Sequence, residues 1–264
     1  MQKAMRTFLY LVCAFQALMA LALFVQWPFV VDLWPFEGTT PLTFIFLSSI
    51  FAAAAASTFW AAASKTFGAL AGIALDYILI LGPVAILAFQ LGASSDGSFT
   101  MVGIISILGV LFGVALLLWS LRIPIEGTLP MPGMVRGSFV VFIVALLVVS
   151  TRLILKVPDT IPWAITPELS VVMGWMFVGA AAYFVYGLLR PSWENAAGQL
   201  AGFLAYDLVL IVPFVSRLGS VPPEHKLGLT VYTLVVAYSG LLATYYLFID
   251  KQTRVRARRE APAM

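Results

Sequence analysis

Two aspartates fall in stretches that otherwise carry no charge. Asp76 lies in "LAGIALDYILILGP" (70–83) and Asp207 in "LAGFLAYDLVLIVP" (200–213), and each has a tyrosine beside it, Tyr77 and Tyr206, in swapped order. A carboxyl in the middle of an apolar helix is costly in hydrocarbon, so it faces a bundle interior or a cavity. Two such carboxyls flanked by phenols suit a proton or cation path. They also suit another task, hydrogen-bonding one helix to the next. One step along a helix turns about 100°. The swapped order therefore aims the two carboxyls differently unless one helix carries a bulge. Pro83 and Pro213 close the matching stretches. Each frees a carbonyl and reads as a helix break, and broken helices beside buried charge are a transporter-like combination. Arg152 and Arg217 fall near span ends. There they snorkel to headgroups, or serve as outer contacts for an anion or for Asp207.

Other chemistry is sparse. The chain has one histidine, His225, and one cysteine, Cys13. That supplies no multi-histidine metal site, no bis-histidine haem ligation and no thiol pair. No glycine-rich phosphate loop with Lys-Ser or Lys-Thr occurs. His225 stands apart from any Ser-His-acid set. No metal or other cofactor is expected, and an enzyme is the weakest class.

The elements that position the aspartates follow from composition. The chain is 62% apolar and 10% charged, with a mean hydropathy of +1.01. Soluble domains carry about 25% charge. A core of this length could not hide so much apolar surface, so lipid must cover it. Backbone polar groups in lipid pair within a helix or a closed barrel. The apolar runs here are continuous rather than alternating, which favours helices. A helix crosses a bilayer in roughly 20 apolar residues. About eight spans result, near 6–30, 41–63, 67–90, 99–121, 136–157, 168–189, 197–216 and 227–249. The first begins with Lys3 and Arg6, and Ala20-Leu21-Ala22 resembles a cleavage site. Its apolar run outlasts a signal peptide, so a retained span is expected.

Basic residues orient the spans. With the N-terminus inside, Lys3, Arg6, Lys65, Arg122, Arg136, Arg190 and Lys251 are cytoplasmic, against Arg152, Lys156, Arg217 and Lys226 outside. Both termini are then cytoplasmic in a multi-pass protein of the cell (inner) membrane. The tail adds Arg254, Arg256, Arg258 and Arg259. Such a cluster meets anionic lipid at roughly 1 kcal/mol per residue, and a nucleic-acid role is not expected.

The chain also repeats itself. "DLWPFEGTTPLT" (32–43) lies over "DTIPWAITPELS" (159–170), and "AAAASTFW" over "GAAAYFVY". Together with the aspartate stretches this predicts two fused four-helix repeats, 1–126 and 127–250, with a basic tail at 251–264. An even number of spans per copy makes the repeats parallel, about a pseudo-twofold axis along the membrane normal. In each loop a threonine (Thr39 or Thr40, and Thr166) suits a helix N-cap, with Pro41 or Pro167 at the first helical position. Each loop is then a helix-stop, interface-anchor and helix-start device, or else an outer ligand-binding lip. The small residues at 52–57 and 179–182 predict close helix packing, with the second span on the sixth as one arrangement.

Trp-Pro followed by Thr-Pro-Leu-Thr, after a first span with a basic start, resembles a group of uncharacterised bacterial polytopic membrane proteins. The resemblance covers mainly 27–60, and 159–186 more faintly. It implies a membrane location and the loop design, and no activity. The fold expected is all-α and integral to the membrane. Two functions suit it. One is passage of a small solute or ion, proton-linked, between the halves. The other is a non-catalytic accessory or scaffold subunit, with a membrane-protein partner or a second copy.

Overall fold

The computed structural model describes residues 2–93, 98–127 and 129–255. These form α1 (Gln2–Phe24), a short α2 (Pro28–Asp32), α3 (Pro41–Ser64), α4 (Leu70–Gly92), α5 (Ser98–Ser120), α6 (Gly133–Ile154), α7 (Pro167–Leu189), α8 (Trp193–Arg217) and α9 (Pro223–Thr244). A short 3-10 turn leads into α4, and a wider turn, Tyr245–Ile249, extends α9. Every helix but α2 is long and apolar enough to cross a membrane, eight in all among the described residues.

The spans begin and end where backbone chemistry directs. α3 starts at Pro41 after an extended Thr40, and α7 at Pro167 after Thr166, whose hydroxyl accepts from the Leu169 N–H (3.3 Å). The first span is shorter than its apolar run. Pro28 has no N–H, and in a continued helix its ring would meet the Phe24 carbonyl. The chain instead turns through Gln26 at φ 52°. The Trp27 N–H then reaches back to the Ala22 carbonyl (2.8 Å), a left-handed helix ending. The same device ends α3 at Lys65 (φ 60°) and α6 at Lys156 (φ 55°). There the Thr66 and Val157 N–H groups bond the Ala61 and Arg152 carbonyls at 3.0 and 2.8 Å.

Helices pack in two ways. Sequence neighbours pair along their length: α1 with α3, α4 with α5, α6 with α7, and α8 with α9. Two long crossings join the pairs, α3 on α8 and α4 on α7. α3 and α7 therefore lie at the centre, with more of their span buried than any other helix. Small residues make the crossings. The Ser57 hydroxyl of α3 donates to the Gly198 carbonyl of α8 (3.1 Å). Gly179 of α7 lies against Asp76 and Ile80 of α4. The expected pairing of the two small-residue helices is thus corrected. Each packs on an aspartate-bearing helix, and α3 meets α7 through Phe46 and Phe177 (ring centroids 5.5 Å apart). The repeated loops also meet, where the Thr39 hydroxyl donates to the Ala164 carbonyl.

Space at Gly179 decides the α4–α7 crossing. A Cβ there would meet the Asp76 carboxylate and, at 3.0 Å, the Asp76 backbone carbonyl. Gly137 of α6 has open space around it. Gly179→Val is therefore expected to destabilise the protein by about 1–3 kcal/mol through overpacking. Gly137→Ala should be neutral or slightly stabilising. Thermal unfolding of both in one detergent checks this, and equal midpoints would refute the tight crossing.

Candidate functional site

α3, α4, α6, α7, α8 and α9 enclose a cavity of about 470 Å³. The site is built from its two carboxyls upward. Asp207 falls near the middle of α8 and is 3% exposed. Its Oδ2 accepts from the Ser239 hydroxyl of α9 (2.6 Å). Its Oδ1 is buried with no hydrogen-bond partner. Asp76 is half-buried on α4 and faces Gly179 of α7. Both carboxyls lie on the wall of this one cavity.

Other polar groups complete the wall. Tyr206 shares a hydroxyl hydrogen bond with Tyr232 of α9. Gln199, fully buried on α8, donates through Nε2 to the Tyr183 carbonyl of α7 (2.5 Å), while its Oε1 has no hydrogen-bond partner. Ser57 and Thr160 add hydroxyls. No lysine, arginine or histidine among the described residues lines the cavity, and the remaining wall is apolar. A buried carboxyl accepts up to about four hydrogen bonds. Asp207 receives one from the side chains, which leaves its second oxygen, closed off from solvent, to hold a proton.

The residues singled out from sequence divide into three groups. Asp76, Asp207 and Tyr206 come together on the cavity. Tyr77 does not line it: its hydroxyl accepts from Gln16 Nε2 of α1 (2.5 Å). The helical step explains this, because Asp76 and Tyr77 are about 100° apart on one helix. Nor do Arg152 and Arg217 line it. Arg152 is exposed in the last turn of α6, and Arg217 half-buried in the last turn of α8. Of the tail arginines, Arg254 is half-buried, whereas Arg256, Arg258 and Arg259 lie outside the described residues.

The helix breaks expected at Pro83 and Pro213 require correction. α4 and α8 run on through both prolines. A proline removes one backbone hydrogen bond, here that to Leu79 or Val209. Ending a helix would strand several such groups in hydrocarbon, which costs far more.

Sequence reasoning missed Ser239, Tyr232, Gln199, Tyr183 and Ser57. One signal was available. Tyr232, Val236 and Ser239 stand at i, i+4 and i+7 on α9, and so share a face. At the far end of the cavity, Thr160, Ile161 and Pro162 of the second repeated loop join the wall. Beside them His225 Nδ1 lies 3.9 Å from Asp159 Oδ1. Comparison with protein-family models, with curated proteins and with solved structures finds no match for the chain.

The Ser239–Asp207 bond carries a measurable coupling. Hydrogen bonds between membrane helices contribute about 0.6 kcal/mol on average and up to about 1.7. Ser239→Ala should destabilise the wild type, and should do so by about 1 kcal/mol less in an Asp207→Leu background. A double-mutant cycle of unfolding free energies tests this. A coupling of zero would show that the hydroxyl does not hold the carboxyl.

Proposed function

We propose that the protein passes a small solute or ion, with proton linkage, through the space between two four-helix halves. Asp76 and Asp207 are its protonatable residues in this reading. The observation that carries it is their position on one cavity wall, with one carboxyl oxygen of Asp207 buried and unpartnered. Tyr206 and Tyr232 tune that wall. Tyr77 acts on the other face of α4, as a packing contact to α1.

The halves proposed are residues 1–126 and 127–250, related by a pseudo-twofold axis. Exchanging them turns the α1–α3 and α4–α5 pairings into α6–α7 and α8–α9, and the α3–α8 crossing into α7–α4. All six contacts are present. The left-handed endings at Gln26 and Lys156 correspond as well. So do two glycine contacts, Gly113 of α5 with Tyr77 and Gly240 of α9 with Asp207, where an added Cβ would lie 3.6 and 3.4 Å from the partner's Cβ. Tyr77 and Asp207 thus hold equivalent places, which accounts for the swapped order. Orientation follows the basic residues, with both termini cytoplasmic in the inner membrane.

Proteoliposomes enclosing a pH-sensitive dye test the reading. An imposed pH gradient should drive proton movement that is lost, about tenfold or more, in Asp76→Asn and Asp207→Asn. Both variants should still purify as folded helical protein. Unchanged flux in the two would remove the role given to the pair.

A further inference from the structure

The mouth of the cavity opens sideways, among side chains that face lipid. α6 packs on α7 and α9 on α8, rather than on one another. They touch at one end, where the Ser138 and Tyr238 hydroxyls share a hydrogen bond (2.7 Å) and Phe142 meets the Tyr238 ring (6.2 Å). Beyond that point they diverge. Ala145 and Val149 of α6 then line the cavity opposite Leu227 and Val231 of α9. Leu227 is 75% exposed and Val231 52%, and both belong to a helix long and apolar enough to cross a membrane. Between α1 and α5, the pair that corresponds in the proposed repeat, Phe8 meets Phe112 (5.8 Å), and Gln16 of α1 bonds Tyr77 of α4.

Charge and aromatic character point to one class of occupant. An anion would meet two carboxyls and no basic side chain, and would be buried without a partner. A cation would meet two acidic residues on one wall, Asp76 and Asp207. It would also meet rings from four helices: Phe142 of α6, Phe177 and Tyr183 of α7, Phe203 and Tyr206 of α8, and Tyr232 of α9. Aromatic faces attract cations most strongly when desolvated. The volume, about 470 Å³, lies in the usual range for small-molecule sites.

We infer that the solute is a lipophilic cation, which enters the cavity from the bilayer between α6 and α9 and exchanges there with a proton on Asp207. This rests on the proton-linked reading above and gives it a substrate class. Charge balances in the exchange. The cation arrives as the Asp207 proton leaves to solvent, and a proton returns as the cation departs. Entry from lipid requires an apolar body, and the carboxyls select its charge.

The test uses tetraphenylphosphonium and tetraphenylborate, which share a shape and differ in the sign of their charge. The full-length protein in nonionic detergent should bind tetraphenylphosphonium saturably, one per chain, releasing protons into weak buffer. Tetraphenylborate should show no saturable binding. Asp207→Asn should weaken tetraphenylphosphonium at least tenfold, and Val231→Trp, at the mouth, should slow its association several-fold. Equal binding of the two probes by the wild-type protein would overturn the inference, and needs no variant. So would wild-type affinity in Asp207→Asn. If binding is indifferent to charge while proton flux still depends on the aspartates, the cation assignment fails and the proton path stands. If flux is independent of both aspartates, the underlying reading fails.

Discussion

Four helices cross at the centre of this protein through residues with almost no side chain. Lipid gives apolar helices no reason to seek each other, since a leucine meets hydrocarbon either way. What remains is close contact, and close contact needs small residues. Gly198 and Gly202 of α8 admit Ser57 of α3, and Gly179 of α7 admits the Asp76 stretch of α4. The aspartate helices are thereby held at the centre. Around these four helices α1 packs on α3, α6 on α7, α5 on α4 and α9 on α8, and the cavity lies among α3, α4, α6, α7, α8 and α9.

The two carboxyls inhabit different surroundings. Asp207 is almost fully enclosed and holds one hydroxyl donor. Asp76 is half-buried and sits against a glycine. A single helical step separates these outcomes, because Tyr77 stands where a strict repeat would place the counterpart of Asp207. The tyrosine turns towards α1 and bonds Gln16. The aspartate turns towards α9, where the wall stays open.

Much of the fold was legible because bilayer thickness dominates it. Span number and most boundaries follow from apolar length, and the starts at Pro41 and Pro167 from proline's lack of an N–H. The first span was misjudged where apolar length and backbone chemistry disagreed, and Pro28 prevailed. The cavity was less legible. Smallness in "AAAAAS" and "GAAA" announces a close contact without naming the partner, and the partner proved to be an aspartate helix in each case. Serine and tyrosine are common in spans, so Ser239 and Tyr232 gain meaning only once α9 is seen to face Asp207. The prolines misled for a related reason. Loss of one hydrogen bond was taken for a break, whereas hydrocarbon keeps the rest of the helix intact.

Two short connections join helices that scarcely touch. Lys65 and Thr66 lead from α3 into the turn before α4, and Arg190, Pro191 and Ser192 separate α7 from α8. Yet α3 and α4 make little contact along their length, and so do α7 and α8. Each pair is a V with its apex at the same membrane face. The two Vs interlock, arm against arm, α3 on α8 and α4 on α7. In such a linkage one V cannot widen while the other stays still, because each arm of the first is fastened to an arm of the second. The width of the central space is then set by the two pairs together and not by either alone.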